Sequence, residues 1–221
     1  MILAVYGASG LGTEHYMMAK RLNENQYRWT KIFFVDDTPE KEGKTLEGAP
    51  IITFQQAMEE YGKENLEFVI AVGEPIGKDK LYKKLKQNGC RLATMLAPDI
   101  YVPESATLGE GVIIKENCWV PPTSVFGNNV MLQRSALVGH GTVLGDNVVI
   151  SSFGFVGGLT QIGKNSYIGP HACVRDRVKI GENVIVGMGA VVTKDIPDNA
   201  VVYGNPAKIV RYNETGKIFK G

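Results

Sequence analysis

Every sixth residue from Val102 to Val192 is aliphatic or aromatic, with no break in phase. The series runs Val102, Leu108, Ile114, Val120, Phe126, Leu132, Val138, Leu144, Ile150, Val156, Ile162, Ile168, Val174, Ile180, Val186 and Val192. Four places after these residues the side chain is small or short in most units, as at Ala106, Ser124, Ala136, Thr142, Gly154, Thr160, Ser166, Ala172 and Ala190. Glycine often follows the apolar residue directly, as at Gly109, Gly127, Gly139, Gly145, Gly157, Gly163, Gly169, Gly181 and Gly187. A helix repeats near 3.6 residues and an ordinary strand near 2, so neither produces this pattern.

A period of six fits a solenoid of short flat faces, in which each unit buries its apolar side chain only because its neighbours complete the core. Three faces make one triangular coil of eighteen residues, returning the chain to the same corner about 4.8 Å higher. Sixteen units make five coils and a third. The expected interior is one aliphatic and one small residue per unit, with glycine relieving turns that require positive φ.

Before Ala97 and Pro98 the pattern changes. Ile2–Tyr6, Trp29–Val35, Phe68–Val72 and Arg91–Leu96 are apolar runs of strand length, separated by helical stretches at Leu11–Leu22, Phe54–Tyr61 and Lys78–Gln87. Thr53 followed by Gln56 predicts a capping box at the start of the second helix. Alternating strands and helices imply a small Rossmann-like parallel sheet. The domains are therefore expected at 1–97 and 98–221, the polar residues after Tyr212 forming a loosely held tail.

The first strand runs into Gly7-Ala8-Ser9-Gly10-Leu11-Gly12, where glycines would let a phosphate approach amides at a helix N-terminus. The spacing is G-x-x-G-x-G rather than the dinucleotide G-x-G-x-x-G, and a tight turn without ligand explains it equally well. Asp36 and Asp37 follow the second strand, where such folds place sugar- or base-binding acids, and Gly73 ends the third strand on the same edge.

Length, near-half hydrophobic content and a net charge of +1 describe a soluble chain with mass for two cores. No basic excess points to nucleic acid, and no long apolar run or signal peptide points to membrane insertion or export. Cys90, Cys118 and Cys173 are unpatterned and read as free thiols in a reducing, cytoplasmic compartment, with Cys118 filling core. Of the three histidines, His15 falls early in the first helix in a surface or packing role. His140 should point outward at a corner, with Gly158 one coil above and Asp176 above that, while His171 lies on another face. No metal site is expected, since zinc needs several ligands that meet.

The flank Val138-Gly139-His140-Gly141-Thr142 and the stretch Gly157-Gly158 join Tyr6-Gly7-Ala8-Ser9-Gly10, Val35-Asp36-Asp37 and Tyr203-Gly204-Asn205-Pro206-Ala207-Lys208 in one further pattern. Together they resemble the sugar O- and N-acetyltransferases of the sialic acid O-acetyltransferase family, nearest to the bacillosamine-type and perosamine-type nucleotide-sugar N-acetyltransferases. That resemblance implies a left-handed parallel β-helix behind a nucleotide-sugar-binding domain, assembled as a homotrimer with acetyl-CoA between neighbouring helices. It implies His140 as catalytic base and the Gly158 amide facing the thioester carbonyl. Val149, Gly158, Pro170, Met188, Pro206 and Lys208 would contact acetyl-CoA. Ser9, Gly10 and Leu11 would line the nucleotide diphosphate site, with Asp36, Asp37 and Gly73 around the nucleoside. Bacterial surface-glycan synthesis is the implied setting.

Three positions depart from the close relatives: Gly141 stands where a Glu raises the histidine's basicity, Val149 where a second His helps bind the acetyl carbonyl, and Leu11 where a His is common. N-acetylation is favoured over O-acetylation, because an amine needs less help from the base than a hydroxyl. A non-catalytic trimeric scaffold is the alternative that Gly141 and Val149 motivate. A β-helix carbonic anhydrase lacks the histidines, and a nicotinamide oxidoreductase leaves most of the chain unexplained.

Overall fold

The computed structural model describes residues 1–213 and residue 218; the tail expected after Tyr212 lies almost wholly outside them. Contacts divide the chain into one unit of Met1–Gly73 with Lys80–Met95 and a second of Glu74–Asp79 with Leu96–Gly221.

The first unit is built on a sheet. β1 (Ile2–Tyr6) is its centre, paired in parallel with β2 (Lys31–Val35) on one side and β5 (Leu66–Ile70) on the other. Leu3, Ala4 and Val5 are wholly buried, as expected of a strand covered on both faces. The remaining strands are β3 (Thr45–Leu46), β4 (Ala49–Ile52) and β6 (Arg91–Leu92), giving the order β3-β4-β2-β1-β5-β6. α1 (Gly10–Gln26) begins four residues after β1, α2 (Phe54–Tyr61) follows β4, and α3 (Pro75–Gln87) follows β5. The capping box at α2 is present in full: the Gln56 amide donates to the Thr53 hydroxyl at 3.2 Å and the Thr53 amide to Gln56 Oε1 at 2.8 Å. The antiparallel β3–β4 hairpin lies in a stretch where no strand was expected.

The second unit is a parallel β-helix. Two-residue strands stack eighteen apart in three columns, the first carrying Thr107–Leu108, Val125–Phe126, Val143–Leu144, Gln161–Ile162 and Lys179–Ile180. The second carries Ile113–Ile114, Met131–Leu132, Val149–Ile150, Tyr167–Ile168 and Ile185–Val186, and then Ala200–Tyr203 with antiparallel Lys208–Tyr212. The third carries Leu137–Val138, Phe155–Val156, Cys173–Val174 and Val191–Val192. The period-six residues form one continuous core, fully buried between Val120 and Val192 apart from traces of exposure, with Val102 and Leu108 partly covered at its open end. Each interior Val or Ile contributes about 1.5–3 kcal/mol by leaving water. Ser124, Ala136, Thr142, Thr160, Ser166, Ala172 and Ala190 fill the gaps between them at 0 % exposure.

The glycines do a different job from the one expected. Those that follow the apolar residue do not have positive φ; the left-handed corners fall two residues later and are mostly occupied by other residues, including Asn129, Asn147, Asn165, Phe153 and His171. Glycine is needed because the next coil passes too closely: a Cβ on Gly139 would stand 2.4 Å from the Gly158 nitrogen, and one on Gly145 2.6 Å from the Lys164 nitrogen. Asparagine suits a left-handed corner because its amide can bond locally. Here the amides form a ladder, each Nδ2 donating to the next Oδ1: Asn129 to Asn147 at 2.8 Å, Asn147 to Asn165 at 3.0 Å, Asn165 to Asn183 at 3.3 Å and Asn183 to Asn199 at 3.1 Å. Lys78 Nζ starts the ladder, donating to Asn129 Oδ1 at 3.0 Å from a fully buried position.

Candidate functional site

The first unit gathers its chemistry at the carboxyl ends of β1, β2 and β5. Gly7 has φ +120°, and a Cβ there would meet the Ala71 carbonyl oxygen at 2.7 Å. A Cβ on Gly12 would meet the Gly7 carbonyl oxygen at 2.0 Å. Both glycines are therefore required by the turn itself, and only Gly10, with no atom within 4 Å of its Cβ position, opens space over the loop. Ser9 is the exposed N-cap of α1 and its side chain makes no capping bond, leaving the hydroxyl beside the helix N-terminus. Leu11 packs 3.7 Å from the Cβ position of Gly73, which follows β5, so the loop and that segment lie side by side.

The tandem acids are tied into this end of the sheet. Asp36 Oδ2 accepts from the Ala8 amide and from Lys41 Nζ, both at 2.8 Å, while Oδ1 accepts from the Thr38 amide at 3.0 Å. Asp37 Oδ1 accepts from the Phe54 amide at 2.9 Å, and Oδ2 accepts from the Tyr6 hydroxyl and from Lys84 Nζ, the latter at 2.7 Å. Burial would raise both carboxyl pKa values, but the hydrogen bonds outweigh it, led by Lys41 on Asp36 and by Lys84 on Asp37, and hold both below the ordinary range. Tyr6 is pushed far above its ordinary value, first by burial and then by its bond to Asp37, so it serves as a fixed donor. Lys41, Lys84 and Tyr6 were not singled out in the sequence; only the position of Tyr6 at the end of β1 hinted at its place.

The second unit presents His140 at the corner between the third and first columns, exposed, with Gly158 directly above. A Cβ on Gly158 would lie 2.9 Å from His140 Cε1 and 3.0 Å from Nδ1, so the imidazole rests against the glycine. Gly141 has φ +63°, and a Cβ there would come within 2.7 Å of Leu159 Cδ2. The corner geometry thus favours glycine at position 141. Among the described residues no side chain bonds the His140 ring. His15 is fully buried, and His171 stacks on Phe153 at 4.9 Å and 8° on a different corner, apart from His140 as expected.

Two expectations need correction. The Gly158 amide is not a free donor: it is bonded to Asp176 Oδ1 at 3.0 Å, in the same eighteen-residue step that joins the Asn128 amide to Asp146. Val149 is 1 % exposed and presents no surface to a coenzyme. Its column mates Ile113, Met131, Tyr167 and Ile185 are equally covered. Pro170 and Met188 do stand together on adjacent coils, since a Cβ on Gly169 would touch the Met188 nitrogen at 2.7 Å, and Met188 is 73 % exposed. Pro206 and Lys208 lie exposed where the chain leaves the last coil, held by the Ala207 amide donating to the Val191 carbonyl at 2.8 Å.

A β-helix with a solvent-facing corner histidine, following a strand-loop-helix unit in the sequence, defines a hexapeptide-type acyltransferase. Residues 2–85 match the PglD N-terminal domain family and residues 159–194 the bacterial transferase hexapeptide (six repeats) family. The acetyltransferase domain of PglB from Neisseria gonorrhoeae FA1090 is 32 % identical, aligned over 94 % of this chain and 98 % of that one with a TM-score of 0.85. WeeI from Acinetobacter baumannii AYE is 27 % identical over 95 % and 100 % of the two chains, TM-score 0.87. PerB from Caulobacter crescentus, solved with CoA and GDP-perosamine, is 25 % identical over 96 % and 98 %, TM-score 0.85. No curated protein matches by sequence search. The chain belongs to the bacillosamine- and perosamine-type sugar acetyltransferases.

Proposed function

We propose that this acyltransferase moves the acetyl group of acetyl-CoA to the amine of a nucleotide-linked amino sugar, with His140 as general base. The observation that carries the reading is the His140–Gly158 corner: an exposed imidazole held against a glycine, in a chain similar end to end to PerB, which was solved with CoA and GDP-perosamine. Neutral His140 takes a proton from the attacking nitrogen as the nitrogen–carbonyl bond forms. The thioester C–S bond then breaks, and the imidazolium returns the proton to the departing thiolate. Such base catalysis typically contributes a factor of about 10²–10⁴. Ser9, Gly10 and Leu11 hold the diphosphate, with Asp36, Asp37 and Gly73 at the nucleoside. Pro170, Met188, Pro206 and Lys208 hold the coenzyme, Met188 offering exposed apolar surface and Lys208 an exposed cation.

Assembly as a homotrimer supports this chemistry. The outward side of the third column, next to His140, is apolar and uncovered: Leu137 is 46 % and Phe155 43 % exposed, with Phe153 at 55 % and Leu159 at 41 % on its two borders. A contiguous apolar surface of this kind marks an interface, and closed threefold packing provides the second wall of the coenzyme cleft. It also offers His140 an orienting partner, which no described side chain of its own chain supplies. No helix among the described residues is long and apolar enough to cross a membrane, and the reading places the enzyme in the cytoplasm, supplying acetylated sugar for surface glycans.

The test is thiol release from acetyl-CoA against a panel of nucleotide-linked amino and hydroxy sugars, with His140→Ala alongside. Turnover with an amino sugar that falls about 10²–10⁴-fold in the variant is expected. Unchanged turnover in the variant removes the base assignment, and coenzyme binding without transfer to any sugar favours the scaffold. Light scattering should report a trimer, dispersed by Leu137→Glu; a monomeric wild type refutes the assembly.

A further inference from the structure

Asp36 and Asp37 pose an electrostatic problem for the crevice they line. Asp36 reaches the Ala8 amide, one residue from Ser9, so a dianionic diphosphate on that loop faces its carboxylate at close range, with Asp37 the next residue in the chain. Neither acid is dispensable to the fold: Asp36 fixes the loop and the turn at Thr38, and Asp37 fixes the start of α2 through Phe54 and the end of β1 through Tyr6. The structure answers with one lysine per acid. Lys41, from the turn after β2, sits 2.8 Å from Asp36 Oδ2, and Lys84, from α3, sits 2.7 Å from Asp37 Oδ2.

Lys84 is held in place beyond its ion pair. Its Nζ donates to the Tyr6 hydroxyl at 2.8 Å and lies 4.5 Å from the Phe54 ring centroid and 5.4 Å from that of Tyr6. Those two rings stack on each other at 5.9 Å and 9°. An ammonium fixed over aromatic faces keeps its position as well as its charge.

We infer that Lys41 and Lys84 are counter-ions that bring the acid-anchored loop to net neutrality, so that a nucleoside diphosphate can be accepted there. They are positioning residues that set nucleotide affinity through the two aspartates. The inference rests on the reading of this crevice as the nucleotide-sugar site.

Calorimetric titration of the full chain with UDP, GDP and dTDP at about 0.01 M and about 1 M ionic strength tests it, since the screening length falls from about 30 to about 3 Å between them. Lys84→Met is expected to weaken diphosphate binding about tenfold relative to wild type at low salt, and the gap should close at high salt. Lys84→Arg, which keeps the charge beside Asp37, should retain the wild-type salt response, and Lys41→Met should repeat the signature independently. A loss that is the same at both salts, or that Lys84→Arg shares in full, shows a merely structural lysine and overturns the inference, as does wild-type affinity in both methionine variants. Failure of wild type to bind any of the three diphosphates overturns the crevice reading and this inference together.

Discussion

Gly158→Ala is the most direct probe of the corner proposed to be catalytic. The added methyl carbon would stand 2.9 Å from His140 Cε1 and 3.0 Å from Nδ1, whereas carbon contacts settle near 3.5–4.0 Å. The imidazole must therefore retreat by about 0.5–1 Å. The backbone at Gly158 does not have positive φ and its amide stays on Asp176, so alanine can adopt the local backbone angles, its methyl meeting the His140 carbonyl oxygen at 3.3 Å. A displacement of about 1 Å in a positioned catalytic group costs on the order of 10²-fold in rate. Gly158→Ala should accordingly lower kcat by about 10–100-fold while the thermal midpoint stays near wild type. The assay is initial-rate thiol release under saturating substrates, combined with His140→Ala in a double-mutant cycle. With the base absent, the second substitution should cost nothing further. Wild-type kcat in Gly158→Ala, or full additivity in the double variant, would refute the claim that glycine is there to seat the ring.

Lys78 predicts an unusual pH dependence of stability. Complete burial lowers its pKa to about 7 from 10.5 in the free side chain. Between those values the unfolded chain holds a proton that the folded chain does not, so unfolding free energy rises with pH, by up to about 1.4 kcal/mol per unit from this group. Urea unfolding from pH 6.5 to 9.5 should show wild type gaining on Lys78→Met along the range, and parallel curves would contradict it. Asn147→Ala removes the middle of the amide ladder at a left-handed corner of φ 61°. About 1–2 kcal/mol of backbone cost plus about 1 kcal/mol for each of the bonds to Asn129, Asn165 and Asp79 gives about 4–5 kcal/mol, readable by chemical denaturation; a loss below about 1 kcal/mol would show that the ladder carries little energy.

The β-helix was legible because its core repeats: one residue type at one spacing has one burial environment, and Phe126, Ile150 and Val174 occupy it as read. Corner positions were less transparent. Glycine after the apolar residue signals a close backbone, and glycine at a left-handed corner signals φ; the sequence letter is identical, and only the stacked coil above Gly139 separates the two. The β3–β4 hairpin escaped because its strands are short and Pro50 interrupts the apolar pattern, although Glu47 and Gly48, both at positive φ, make its turn. Lys78 and Lys84 lie in a lysine-rich helix whose pattern did not single them out. Burial against Asn129 and pairing with Asp37 are contacts across 51 and 47 residues, which no local pattern carries. Asp176 was placed above Gly158 by arithmetic, but its hold on the Gly158 amide depends on side-chain geometry.

The eighteen-residue step that stacks His140, Gly158 and Asp176 also constrains how this protein can change length. An insertion of one residue inside a coil rotates everything after it off its face, turning core residues outward and sending a left-handed corner to a residue unsuited for it. Whole-coil gain or loss leaves every later residue in phase. Descent among such chains should therefore proceed by quantised duplications and deletions beyond the catalytic corner, and by free drift only at the corner tips, where extra residues can loop out without disturbing the stack.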